Sequence, residues 1–214
     1  QAESHQRGSL FAISGLHMWQ GHALARRGEL SDAEQMLRQA LDEFNLYGYG
    51  AGAHVYLRAF LAACQLDRGD AAGARRTLDE ARDPGDTSDA AGFWLYVLNP
   101  AIWRWRNPKA IALARLGRAD EALPLARAEV ELARGYGGPT ALGHSLRVLG
   151  QLEGGGEGLE HLRESVEVLD GSLAPLELAE SLCALGVGLR HERRPSDARD
   201  PLRRSLEIAG VCGA

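Results

Sequence analysis

Apolar side chains recur at every third or fourth position along most of this chain, the spacing that places them on one face of an α-helix. The segment containing Leu159, Leu162, Val166 and Leu169 shows this spacing, with Glu and Arg among the residues between them. No part of the sequence shows the regular apolar–polar alternation of a half-buried β-strand. The pattern therefore predicts an all-α protein.

A small residue follows a turn residue by five positions at five places in the chain. The paired positions are Gly28 and Ala33, Gly69 and Ala74, Gly117 and Ala122, Glu153 and Gly158, and Arg193 and Ala198. A small side chain is needed where two helices cross closely, because a larger one forces them apart. Each unit is therefore predicted to be a first helix, a short turn and a second helix, named here helix A and helix B.

These markers divide the chain into consecutive helix pairs within a single helical-repeat domain spanning 1–214. The pairs are predicted at 9–46, 51–82, 108–135, 139–169 and 174–210. The stretch 83–107 is predicted to be irregular, with one short helix over 89–98. Helix starts are predicted at capping residues, namely Ser31-Asp32, Asn107 and Ser196-Asp197.

A helix pair of this kind cannot bury its apolar face alone, so neighbouring pairs must stack. The predicted fold class is therefore a right-handed α-solenoid of about five antiparallel, tetratricopeptide-like helix pairs with an irregular segment in the middle.

Composition and charge exclude several classes of protein. The formal net charge is -5, so no overall positive charge attracts nucleic acid. The longest apolar run, Phe93 to Leu98, is far too short to span a bilayer. The three cysteines lie far apart, which predicts a reduced, cytoplasmic protein rather than a disulfide scaffold. The missing initiator methionine predicts a segment of a larger protein.

The sequence offers no arrangement that favours catalysis. Lys109 is the only lysine and follows a proline, so no phosphate-binding loop of the G-x-x-x-x-G-K-[ST] type can be written. The histidines form no H-E-x-x-H motif and no zinc-ligand spacing. Glu129 and Glu131 are predicted to lie on a solvated helix surface. We therefore predict no catalytic residue, no cofactor and no metal ion.

The second half of the chain resembles a known family. Three segments are similar to the C-terminal helical-repeat region of large LuxR-type, MalT-like bacterial transcriptional regulators. They are ALARLGRADEALPLARAEVELARGYGGPTALGHSLRVLG (112–150), the segment 158–214 and the stretch NPAIWRWR (99–106). In such regulators an ATPase part precedes the repeats and a helix-turn-helix follows them. The resemblance implies a non-catalytic sensing and coupling module that does not itself read DNA.

The resemblance also implies the partners. These are the flanking ATPase and helix-turn-helix domains of a full-length protein, a small-molecule or peptide effector, and a further copy of the chain in a homo-oligomer. No nucleic acid or membrane is expected to bind the chain directly. The alternative hypothesis is a protein–protein interaction scaffold that has no small-molecule ligand.

Candidate binding residues follow from the face that helix A presents in tetratricopeptide-like stacks. The family pattern places that face 18, 15, 11 and 7 positions before the small residue of helix B. For the last two pairs this predicts Thr140, Gly143, Arg147 and Gln151, followed by Glu180, Cys183, Val187 and His191.

An aromatic group near the irregular stretch adds to the candidates, since aromatic rings stack on flat ligands. The competing interpretation is that the rings seal this stretch onto the core. Together the two arguments predict a binding site formed by Tyr56, Trp94, Trp103, Arg104, Asn107, Arg115 and Arg147.

Overall fold

The computed structural model describes residues 2–46, 51–80 and 105–213. These residues form ten α-helices: α1 (Ala2–Arg26), α2 (Leu30–Leu46), α3 (Ala51–Asp67), α4 (Ala71–Asp79), α5 (Arg106–Arg115), α6 (Ala119–Tyr136), α7 (Pro139–Glu153), α8 (Gly155–Leu169), α9 (Pro175–His191) and α10 (Pro195–Cys212). The chain divides into two compact units, Gln1–Ala112 and Leu113–Ala214. The prediction of an all-α chain of consecutive helix pairs is confirmed for the described residues.

Two predicted boundaries are wrong. Helix α1 begins at Ala2, seven positions before the predicted start. Helix α5 begins at Arg106, so the last residues of the predicted irregular stretch are helical, and Asn107 lies inside the helix rather than capping it. Asn107 is fully buried, which ties this first turn to the core. The rest of the irregular stretch, including the predicted helix over 89–98, lies outside the described residues.

The predicted caps on two B helices are also displaced. Ser31-Asp32 and Ser196-Asp197 lie within the first turns of α2 and α10, because the turns are so short that helix B starts directly after them. Asp32 and Asp197 are acidic residues in a first turn, where their negative charge interacts favourably with the positive end of the helix dipole. Asp70 does cap a helix, since its carboxylate accepts a hydrogen bond from Gly73 N at 2.8 Å.

Four of the five pairs share one three-residue turn. In each, the backbone N–H of the last turn residue donates to a carbonyl in the last turn of helix A, as a Schellman motif requires. The donor and acceptor residues are Glu29 and Leu24, Asp70 and Gln65, Arg118 and Leu113, and Arg194 and Leu189. The residue before the donor has positive φ, which is 81° at Gly28, 85° at Gly69, 78° at Gly117 and 57° at Arg193.

Arg193 is therefore the one non-glycine residue in the left-handed region among the described residues. This conformation crowds a Cβ against the following carbonyl and costs a side-chain-bearing residue about 1–2 kcal/mol. Arg193→Gly should remove that strain, and after the entropy that glycine adds to the unfolded chain the net gain in unfolding free energy should be about 0.5–1 kcal/mol.

Urea denaturation followed by circular dichroism would measure this gain. Arg194→Gly is the matched control, because Arg194 has an ordinary φ of -113° and holds no such strain. A stabilisation of equal size in both variants would show that strain at Arg193 is not the cause.

The five small residues that mark the repeat lie at close helix crossings. Ala33, Ala74, Ala122, Gly158 and Ala198 are all buried, so this element of the sequence pattern is confirmed. The facing positions on helix A are small as well. A Cβ at Gly21 would lie 2.8 Å from Leu37 Cγ, and one at Gly186 would lie 2.5 Å from Leu202 Cγ. Both sides of the crossing therefore need small residues.

The fourth pair, α7 and α8, departs from this register. Gly154 alone connects its two helices, where the other pairs use three residues. Gly21 and Gly186 contact the carbonyl 12 positions later, whereas Gly150 approaches the carbonyl of Gly158, only eight positions later. The difference is four residues, so the crossing lies closer to the connection between the two helices, and the positions of α7 are displaced by about one helical turn relative to the other A helices.

The core of the first unit forms two clusters. Met18, Leu37, Phe44 and Leu61 are buried together where α1, α2 and α3 meet. The second cluster joins α3 and α4 to Ala112 of α5, and the half-buried Trp105 packs against it. The Trp105 ring therefore contributes to the core of the first unit.

Candidate functional site

Helices α7 and α9 are consecutive A helices in the second unit, and a network of ion pairs joins them. The Arg147 guanidinium donates to the carboxylates of Glu177, at 2.9 Å from Nη2, and of Glu180. His144 Nδ1 lies 2.9 Å from Arg147 Nη2 and 3.1 Å from Glu177 Oε2. Arg147 and Glu180 are among the positions that the sequence assigned to ligand contact, whereas His144 and Glu177 are not. The face that carries these four side chains is named here the A-face of the second unit.

The one-turn shift in α7 changes which of its residues lie on the A-face. Ser165 of α8 donates to the carbonyl of Gly143, and Ser205 of α10 donates to that of Ala179. The two acceptors lie 15 and 19 positions before their small residues, which shows the same four-residue displacement. The A-face residues of α7 are therefore His144, Arg147 and Gln151.

One predicted A-face position on α7 is consequently wrong. Gly143 is buried, and a Cβ there would collide with Leu169 of helix B. The error comes from applying the three-residue turn to a pair that has a one-residue turn. Thr140 lies one turn before His144 and therefore shares its side of α7.

Arg147 is largely buried, since only 8% of its side chain is accessible. The two carboxylates of α9 cover the guanidinium and neutralise it. One guanidinium and two carboxylates together carry one negative charge. An anionic guest would have to displace Glu177 or Glu180, so the cluster favours a neutral or cationic guest.

The exposed part of the A-face is mostly uncharged. Gln151 lies beyond Arg147 on α7, and Cys183, Val187 and His191 follow one another at four-residue spacing on α9. Residues four apart share one side of a helix. These side chains therefore form a continuous strip beside the ion-pair cluster, suited to contacts along an extended segment.

The remaining predicted site residues are dispersed or lie outside the description. Asn107 is buried in the first unit, whereas Arg115 is exposed at the end of α5 in the second unit. Tyr56 belongs to α3, but its side chain lies outside the described part of the structure, as do Trp94, Trp103 and Arg104 entirely. A binding role for these six residues and for Arg147 stays a prediction.

Sequence reasoning missed Glu177 and misplaced Glu129. A signal for Glu177 existed, because it lies 30 positions after Arg147 and Glu180 lies 33 after it, roughly one repeat length. Glu129 was expected on a solvated surface but is fully buried in α6, while Glu131 is exposed as predicted. Apolar periodicity does not reveal a carboxylate on the inner side of a helix.

The structure also bears on metals and membranes. Within 2–46, 51–80 and 105–213, no three His, Cys, Asp or Glu side chains are grouped so as to hold a metal ion. Among the helices of these same residues, none combines the length and apolar character needed to cross a bilayer.

The three cysteines differ in exposure and should differ in reactivity. Burial raises the pKa of the Cys64 thiol to about 11, and the charges of Glu34 and Asp67 add to the rise. Its Sγ also donates to the carbonyl of Leu30. Cys183 and Cys212 are exposed. Because the thiolate is the reactive form, Cys64 should be almost inert in the folded protein.

Titration with Ellman's reagent at pH 8 is expected to modify Cys183 and Cys212 within minutes and Cys64 only after denaturant is added. Peptide mapping assigns each modified thiol. Rapid modification of Cys64 in the native protein would contradict its burial between α2 and α3.

Three segments of the chain match the profile of the tetratricopeptide repeat, at residues 15–39, 55–80 and 108–128. Each segment spans one positive-φ turn glycine and the buried alanine five positions after it. These segments carry tetratricopeptide repeats. No curated protein sequence matches the chain.

Several solved structures align with this chain over most of its length. Two crystal structures of a Podosopora anserina protein, assigned as a kinesin light chain with nearly identical TPR-like repeats, align at a TM-score of 0.50 and 14% identity, covering 94% of this chain and 97% of that chain. MamA MSR-1 C2 aligns at a TM-score of 0.40 and 15% identity, covering 94% and 98%. The Podosopora anserina structures show the fold alone, and they confirm the predicted class of tetratricopeptide-like helix pairs.

Proposed function

We propose that the chain is a non-catalytic interaction and assembly module that binds a segment of a partner protein along the A-face of the second unit. The observation that carries the proposal is the strip of Gln151, Cys183, Val187 and His191 beside a fixed ion-pair cluster. Tandem helix repeats use extended surfaces of this kind for binding.

The chemistry of the A-face defines the class of partner. The exposed strip offers apolar contacts at Val187 and hydrogen-bonding groups at Gln151 and His191. Glu180 is partly accessible and lies at the edge of the cluster. A partner segment that is extended, mostly uncharged and carries a Lys or Arg near Glu180 would fit this surface. Arg147 then serves as a positioning residue that holds α7 and α9 in register.

The two exposed cysteines provide a test with an internal control. A photo-crosslinker attached to Cys183, in a Cys212→Ser background, should trap a partner of the A-face in cells that express the natural protein. The same reagent on Cys212, in a Cys183→Ser background, reports what lies near α10. Trapping of identical proteins from both positions would count against a site on the A-face.

A binding measurement then decides whether the trapped partner uses this face. Val187→Arg should weaken the affinity for that partner by about tenfold or more, because it places a charge in the middle of the strip. Leu116→Arg is the matched control, a similarly exposed apolar residue in the turn before α6. Equal effects of the two substitutions would refute the proposal.

We further propose that this module works inside a cytoplasmic bacterial transcriptional regulator, where it couples an effector or partner to the flanking domains. The support is the resemblance of residues 99–214 to the repeat region of LuxR-type, MalT-like proteins. The reading frame that encodes the chain should then encode an ATPase part before it and a helix-turn-helix after it. A frame that encodes neither would leave the scaffold alternative.

The sensing role and the scaffold role differ in their ligands. A sensor should be stabilised by a small molecule or short peptide, since ligand binding to the folded state raises its stability. A melting-temperature screen of the full-length protein would detect this, with Val187→Arg as the control for specificity. A protein that only partner proteins stabilise would be a scaffold.

A further inference from the structure

His144 Nδ1 lies between a hydrogen-bond donor and a hydrogen-bond acceptor in the ion-pair cluster of the A-face. It is 2.9 Å from Arg147 Nη2, which always carries hydrogen, and 3.1 Å from Glu177 Oε2, which accepts. A ring nitrogen offers either one lone pair or one N–H, so Nδ1 can bond to only one of these neighbours at a time. The protonation of His144 therefore decides how the cluster is connected.

The neutral ring and the protonated ring connect the cluster differently. With its single proton on Nε2, a neutral ring accepts from Arg147 through Nδ1, and the guanidinium also donates to Glu177 and Glu180. A protonated ring has an N–H at both nitrogens and accepts nothing. It must release Arg147 and donate to Glu177, so that each cation then has one carboxylate of its own.

Protonation also changes the charge of the A-face. The single negative charge that Arg147, Glu177 and Glu180 carry together is cancelled by a protonated His144. Glu180 is the more accessible carboxylate, since 35% of its side chain is exposed against 14% for Glu177. The neutral ring therefore leaves a negative charge where a cationic group can reach it, and the protonated ring removes this attraction.

We propose that His144 is a pH-sensitive switch that controls whether the A-face attracts a cationic segment. A proton on His144 and a Lys or Arg of a partner compete for the same negative charge, so each weakens the binding of the other. Histidine changes its charge between about pH 5 and 8, which places the switch near physiological pH. Its role in partner binding rests on the proposed function, whereas the switch itself needs no partner.

A buried carboxylate of α6 is directed towards the same part of α7. Glu129 occupies the position in α6 that Ser165 occupies in α8, seven residues after the small residue of the repeat. The Ser165 hydroxyl lies 2.8 Å from that of Ser181 on the next A helix, so Glu129 is directed towards α7 beside His144. Because a carboxylate can also titrate, the amide variant of Glu129 belongs in the test.

The other helices packed against α7 add no further titratable group beside His144 among the described residues. Helix α9 contributes the two carboxylates of the cluster, and α8 packs against this part of α7 with Leu169. Arg134 of α6 and Glu164 of α8 pair with each other. His161 of α8 pairs with Glu153 at the far end of α7, 2.8 Å from Nδ1 to Oε2, and so provides a matched histidine control.

A pH titration followed by NMR tests the switch without any partner. The ring ¹⁵N signals of His144 report which nitrogen carries hydrogen, and the side-chain N–H signals of Arg147 report its bonds. We expect the neutral ring to carry its proton on Nε2, and the Arg147 signals to shift with the midpoint of the His144 titration between pH 8 and 5. Arg147 signals that do not follow His144, or a neutral ring with its proton on Nδ1, would overturn the proposal.

Three variants assign the transition to its source. His144→Gln should abolish the transition at Arg147, whereas His161→Gln and Glu129→Gln should both keep it. A transition that survives in His144→Gln and disappears in Glu129→Gln would assign the titration to Glu129 and refute the switch. Circular dichroism confirms that each variant is folded, and the wild-type titration decides the link between the two side chains without any variant.

Line broadening by a cationic nitroxide and by its anionic analogue measures the charge of the A-face. The ratio of the two effects at the backbone amide of Cys183, about one turn after Glu180, should fall about twofold between pH 8 and pH 5.5, as expected for the loss of one nearby, partly screened charge. His144→Gln should show a clearly smaller fall. Equal falls in both proteins would show that His144 does not set the charge of this surface.

The affinity for a partner trapped through Cys183 then tests the control of binding. It should weaken by about threefold to tenfold from pH 8 to pH 5.5, the upper value applying when only the neutral form binds. The change should be less than about twofold in His144→Gln, while His191→Gln should keep the wild-type ratio. A wild-type change below twofold would refute control of binding. If no partner is trapped on the A-face, the proposed function fails, and the NMR and nitroxide results still decide the switch.

Discussion

Replacing Arg147 with alanine should lower the unfolding free energy of the chain by about 2–4 kcal/mol, near the value measured when one partner of a buried ion pair is removed. The substitution leaves Glu177 and Glu180 facing His144 without their cation, in a cluster that is mostly buried on the Arg147 side. Urea denaturation followed by circular dichroism would measure the loss.

Arg134→Ala is the matched control for this result. Arg134 also pairs with a glutamate one repeat later, Glu164, but 43% of its side chain is exposed to solvent. An exposed pair contributes about 0–1 kcal/mol, because water competes with the partner and salt screens the charge. Similar losses from the two substitutions would mean that burial does not set the strength of the Arg147 cluster.

The largest single-methyl effect is expected at Gly158. An alanine Cβ there would lie 2.5 Å from the carbonyl oxygen of Gly150, and a backbone oxygen cannot move aside as a flexible side chain can. Gly158→Ala should therefore push α7 and α8 apart and cost about 1–3 kcal/mol, the usual range for overpacking. Thermal and urea denaturation would both report the change.

Gly156→Ala is its control, in the same helix and only two positions away. A Cβ at Gly156 meets nothing within 4 Å. Because alanine is favoured over glycine in helices by about 1 kcal/mol, this variant should be unchanged or slightly more stable. A destabilised Gly156→Ala would point to a general intolerance of α8, not to the crossing at Gly158.

The helix pairs were predictable because the same local rules apply in each. The turn residue and the small residue follow from backbone geometry and close crossing, and both act over a few positions. The sequence could therefore place α6 and α9 to within a residue or two. It placed the start of α5 two residues late and Asn107 outside the helix, because apolar periodicity does not show that Asn107 is buried.

The candidate site was less predictable, because it depends on register between helices. A turn shortened at Gly154 moves every A-face residue of α7 by one helical turn, and a fixed offset cannot detect this. Pairing across repeats is equally hidden. In the sequence nothing distinguishes Arg147 from an arginine that could bind an anion. Only its neighbours on α9 show that its charge is already balanced.

The order in which helices pack has a consequence for how the second unit folds. Its hydrogen bonds between helices join residues close in sequence, from 16 positions apart for Ser165 and Ser181 to 34 for Arg204 and Asp170. Closing such short loops costs little chain entropy. Proteins dominated by short-range contacts fold in microseconds to milliseconds. The unit can therefore grow one helix at a time from whichever pair forms first, including while its C-terminal helices are still being synthesised.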